Sequence, residues 1–184
     1  MKRNKRVSKG KEIRPTFFVF CEGETEEQYV CFLRGKYRLP VMVKSKIIGN
    51  RITEKYINNY KKDKQTHPKD KNFLLYDLDA PGIFDRLSGI SNSILLVSNP
   101  CIEFWFLLHV KEQRGEINTV DCLNALKKHQ RDYQKSILCA DLLEKLTTGQ
   151  TKATHRAKTL NSPSNPSTTV FRLIEELEAV KALE

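Results

Sequence analysis

An α/β fold is predicted, with a mainly parallel four-stranded sheet flanked by helices and a C-terminal helical extension. Three observations point to it. Four short apolar runs, TFFVFC, VMVKSKII, NFLLYDLD and SILLVS, have strand length. Segments of helical period separate them, the pattern of strands joined in parallel through crossover helices. From about Val120 onward the pattern is helical only.

Thr16 to Cys21 is aromatic and β-branched and reads as a buried strand. Thr25 to Lys36 reads as a helix, with Tyr29, Phe32 and Leu33 on one face. The second strand lies within Leu39 to Ile48. Thr53 to Lys64 is a basic helix with Tyr56, Ile57 and Tyr60 on one side. The third strand spans Phe73 to Leu78, and a turn at Ala80 to Gly82 leads to a short helix near Ile83 to Leu87. Ser93 to Val97 is the fourth strand. Asn99 as N-cap and Pro100 at the first helical position then open an apolar helix, CIEFWFLLHV. DCLNALKKHQ, SILCADLLEKL and Ala153 to Leu160 are amphipathic, NSPSNPSTT reads as a loop, and VFRLIEELEAVKAL closes the chain as a helix.

The 184 residues fit one domain, with a core over about 15–115 and an extension over about 116–184. No apolar run approaches the roughly 20 residues of a membrane helix, so no membrane partner is expected. Five cysteines without a CxxC pair fit reduced thiols in the cytoplasm and give no zinc signature. Residues 1–14 hold a net charge of +6 out of the chain's +10. They read as a flexible arm that is either merely solvated or binds phosphates through Lys2, Arg3, Lys5 and Arg6. Lys55, Lys61 and Lys62 of the 53–64 helix, with Arg156 on a basic face beside His155, are further candidates to hold a nucleic-acid backbone.

Acid is concentrated against this basic background. FVFCEGETEEQ places Glu22, Glu24, Glu26 and Glu27 directly after the first strand. Thr25 and Gln28 match a capping box, and Glu26 and Glu27 suit the positive end of a helix. Glu22 has no such explanation; it ends a strand, at the sheet edge where α/β proteins bind ligands. Asp77 and Asp79 end the third strand and flank Leu78, so an extended chain points both to one side. Converging carboxylates suit a divalent cation, although Asp is also common in turns. Glu103, in a helix otherwise made of apolar residues, needs a partner, a helix dipole or a function. His109 reads as a core-edge histidine. Ser98-Asn99-Pro100 recurs as Ser164-Asn165-Pro166, where Ser167, Thr168 and Thr169 either start a helix or meet a phosphate there.

CEGETEEQY, LLYDLD, SNPCIEFWFLLH and NPSTTVFRLIEEL together resemble the RloB family over most of residues 16–180. That family is similar to Toprim-domain proteins, which place a glutamate after the first strand and a D-x-D after the third; Glu22, Asp77 and Asp79 match. The resemblance implies that these three are catalytic and hold Mg2+ or Mn2+. The E-G-x-T-E pattern at Glu22 to Glu26 implies that Glu26 joins the metal ligands, in competition with its capping role. Glu103 is carried over as an active-site neighbour and metal ligand. The resemblance further implies abortive-infection defence against phage, an ATPase partner subunit, and relatedness to tRNA-cleaving effectors. The expected activity is a metal-dependent nuclease acting on RNA or DNA; the alternative is a non-catalytic nucleic-acid-binding or regulatory subunit. A homodimer is a further expected assembly.

Overall fold

The computed structural model describes residues 14–182. The basic-arm candidates Lys2, Arg3, Lys5 and Arg6 lie outside the described residues. Five strands, β1 (Thr16–Cys21), β2 (Met42–Ile47), β3 (Lys71–Asp77), β4 (Ser93–Asn99) and β5 (Ser167–Thr168), form one sheet in the order β2-β1-β3-β4-β5. The first four are parallel, as expected. The fifth is antiparallel, pairing Ser98 with Thr168 and Asn99 with Ser167. It occupies part of the segment expected to be a loop; two residues are too few to show a period.

Alternation along the strands splits the core in two. Phe17, Val19, Cys21, Phe73 and Leu75 face one side, where α1 (Glu24–Tyr37), α4 (Ile102–Val110), α5 (Thr119–His129), α6 (Ala140–Thr148), α7 (Gln150–Lys158) and α8 (Phe171–Lys181) gather. Phe18, Phe20, Leu74, Tyr76 and Val97 face the other, covered by α2 (Glu54–Lys61) and α3 (Ile83–Ser88). The apolar residues of the extension complete the core on the first face. Helix α4 is apolar all round because it is enclosed by β4, β5, α5, α6 and α7. No helix among the described residues is long and apolar enough to cross a membrane.

Two helix starts differ from the sequence reading. Asn99 is not the cap of α4: it ends β4, and Cys101 is the N-cap. The ladder with β5 holds the chain extended for longer than the Asn-Pro signal suggests. Helix α1 starts at Glu24 with Gly23 as N-cap, so the capping acid is Glu26, whose Oε2 accepts from the Gly23 amide at 3.0 Å. Thr25 instead turns its hydroxyl to the backbone amide of Ser136, 3.0 Å away. The second Ser-Asn-Pro precedes β5 rather than a helix.

Candidate functional site

The parallel strands set the site. The chain passes from β1 to the edge strand β2 and returns to β3 on the other side of β1, so the connections diverge between β1 and β3. Carboxyl ends of strands flanking such a divergence are where open α/β sheets bind ligands. Glu22 follows β1 and Asp77 ends β3 at this point. Their backbones are in register, since the Glu22 amide donates to the Leu75 carbonyl at 3.0 Å. Glu22 Oε2 accepts from the Asp77 amide, also at 3.0 Å.

Asp77 is the most constrained of the acids. Its Oδ1 is buried without a hydrogen-bond partner. Burial first, then the charges of Glu26, Glu103 and Glu22, raises its carboxyl well above the ordinary range; the Ile102 amide at the start of α4 acts in the opposite direction. Glu26 is only 5% exposed and is likewise raised, chiefly by burial and also by Glu22 and Glu103. Glu22 is raised by burial and by Asp79, against the lowering effects of the Asp77 amide, Arg86 and Lys135. Glu103 is 1% exposed in the first turn of α4. Its Oε1 accepts from the Tyr133 hydroxyl at 2.9 Å, and its Oε2 is buried without a partner.

Glu22, Glu26, Asp77 and Glu103 thus lie close enough to act on one another electrostatically, although they come from three separate stretches of chain. Asp79 stands apart: it is exposed beyond the end of β3 and is coupled to Glu22 at the rim. The acids do not form a finished coordination shell. Among the described residues, no three His, Cys, Asp or Glu side chains stand in a metal-ligating group. What favours a cation is the donor chemistry: hard oxygen ligands, two of them buried and unpartnered, in carboxylates that repel one another. The residues fit a hard divalent cation in kind, and side-chain adjustment is needed to gather them.

A family model described as RloB-like protein matches residues 17–177, most of the chain and all of these acids. The chain belongs to the RloB-like protein family. No curated protein and no solved structure matches this RloB-like chain.

Several polar residues of the RloB-like fold have structural partners. Glu27 binds the Ser45 hydroxyl of β2 at 3.0 Å, away from the acidic pocket. Lys61 donates to Asn72 at 3.1 Å and lies over the Phe18 ring, whereas Lys55 on α2 and Lys62, the C-cap just after it, are exposed. Arg156 donates to the Leu108 carbonyl at 2.5 Å near the end of α4. The hydroxyls of Thr168 and Thr169 are engaged with β4, through Ser98 and the Val97 amide, rather than presented to a ligand at a helix start. His109 donates its Nδ1–H to the Trp105 carbonyl at 2.9 Å, and burial lowers its pKa to about 4, so it is a neutral core residue.

The sequence reading missed the turn joining α5 to α6. This turn supplies Tyr133 to Glu103, the Ser136 amide to Thr25, and Lys135 to the field of Glu22. No local pattern marks Tyr133 as the partner of an acid 30 residues earlier. Arg86, the other cation acting on Glu22, is anchored by its contact with the Asn50 carbonyl at 3.2 Å.

Proposed function

We propose that this RloB-like protein is a divalent-metal-dependent nuclease of Toprim type that hydrolyses phosphodiester bonds in RNA or DNA during anti-phage defence. The observation that carries the reading is the buried carboxylate pocket at the end of β1 and β3, with Asp77 Oδ1 and Glu103 Oε2 unpartnered. Leaving such oxygens buried costs folding free energy, on the order of 1–3 kcal/mol each, unless a ligand offsets it. Glu22, Glu26, Asp77 and Glu103 are the residues to hold Mg2+ or Mn2+, with Asp79 at the open side. When bound there, the cation would supply polarisation of the phosphoryl oxygen and charge stabilisation of the leaving one.

The chain's own residues supply the rest. Arg86 and Lys135, both acting on Glu22, are the cations that would attract a phosphate to it. Glu22, raised by burial, is suited to hold or release a proton there. Exposed Lys55 on α2 and Lys62 at its C-cap add backbone affinity that falls with salt. The test is to sequence RNA and DNA ends from cells that express wild type or Asp77→Ala, at matched protein levels. New ends that depend on Asp77 are expected. Identical end profiles for both would contradict the reading.

The lack of a ready-made ligand group among the described residues favours a second reading, a nucleic-acid-binding or regulatory subunit of an ATPase-containing complex. Salt-sensitive binding to RNA or DNA without any response to Mg2+ or Mn2+ would select it.

A further inference from the structure

An open cavity of about 350 Å3 lies past the end of β3. Asp79 lines one side of it, and Leu78, Pro81, Phe84 and Pro163 supply apolar surface. Asn99 is the neutral polar side chain in this lining.

The orientation of Asn99 is fixed by a chain of obligate partners. Asn165 Oδ1 accepts from the Ile117 amide at 3.0 Å, and its Nδ2 donates to the Ile117 carbonyl at 2.9 Å. That clamp leaves Asn165 only one way round. Its Nδ2 then also donates to Asn99 Oδ1 at 3.1 Å, while Asn99 Nδ2 donates to the Pro163 carbonyl at 2.9 Å. The two Ser-Asn-Pro tripeptides are therefore hydrogen-bond partners, and together they fix the Asn99 carboxamide. By its inventory of donors and acceptors, Asn99 keeps one N–H and one lone pair unused. A carboxamide offering both is the side chain that reads a base edge, and an aromatic wall is what an unstacked base packs against.

We propose that this cavity is a nucleobase subsite: an unpaired base of a single-stranded nucleic acid sits against Phe84 and is read by Asn99, with its phosphate toward Asp79 and the acidic pocket. The proposal rests on the nucleic-acid reading above and adds base selectivity to it. A duplex would not deliver a base into the cavity without unstacking it.

The test is fluorescence anisotropy with labelled five-residue homopolymers of A, C and U, in EDTA, so that hydrolysis and metal binding play no part. Wild type is expected to prefer one base over the weakest by roughly tenfold, the scale of one good side-chain–base pair. Asn99→Ala removes the reading group. Phe84→Leu removes the ring but keeps apolar volume, and serves if Asn99→Ala fails to fold by circular dichroism. Each folded variant is expected to flatten the preference to within about twofold, with the salt dependence of binding unchanged. Equal affinity of wild type for all three strands, or a preference that survives in the folded variants, would overturn the subsite and leave the nuclease reading intact. No binding to any strand would likewise overturn the subsite, while the nuclease reading is decided separately by the end-sequencing comparison with Asp77→Ala.

Discussion

At the residue scale, the acids of the first strand end divide by environment. Glu27 is tied to Ser45, and Glu24 is exposed. Glu26 serves two ends: it caps α1 through the Gly23 amide and contributes charge to the buried pocket. Asp77 has the least compensation. A carboxyl whose folded pKa lies above its unfolded value binds an extra proton in the native state. Its destabilising effect is therefore absent below the ordinary carboxylate range and grows as pH rises through the folded value. Asp77→Asn is accordingly expected to stabilise the metal-free protein by about 1–3 kcal/mol at pH 7, with the gain vanishing near pH 4. Urea melts of both proteins in EDTA at the two pH values measure this. His109 works in the other direction, losing stability as pH falls from about 6.5 through about 4. It is common to both proteins and drops out of the comparison.

At the element scale, the helical extension secures α4, and α4 positions Glu103. Gly149, where α6 meets α7, packs against the end of α4. A Cβ there would lie 2.6 Å from the His109 carbonyl and 2.9 Å from both His109 Cβ and the Lys145 carbonyl. These are mostly backbone atoms of packed helices, which cannot yield as a flexible side chain does. Gly149→Ala is expected to cost about 1–3 kcal/mol, seen as a lower midpoint in a thermal melt. An unchanged midpoint would show that α6 and α7 shift freely against α4. The strands and the first helices were legible in the sequence because each carries a full period of apolar residues. Strand β5 was not, because two residues show no period. The start of α4 was misplaced by the Asn-Pro signal because pairing with β5, nearly 70 residues away, keeps Asn99 in the sheet.

At the scale of the whole molecule, a basic chain gathers four acids into one pocket at the edge of its parallel sheet. Glu22, Asp77 and Asp79 could be singled out as strand-end acids, and Glu103 as acid in an apolar helix. That Glu26 and Glu103 are buried while Asp79 stays exposed could not be foreseen, since it depends on how α4 packs against β4 and β5. Nor was Tyr133 legible, because its pairing with Glu103 exists only in the folded chain. The same holds for the pairing of Asn99 with Asn165, where a repeated tripeptide proves to be two halves of one hydrogen-bonded device. The central claim is that the buried acids form a divalent-cation site. Isothermal titration calorimetry of Mn2+ into metal-free wild type and Asp77→Asn tests it most directly. The account predicts saturable binding by wild type and its loss in the variant; no heat beyond dilution with wild type, or equal binding by both, would contradict it.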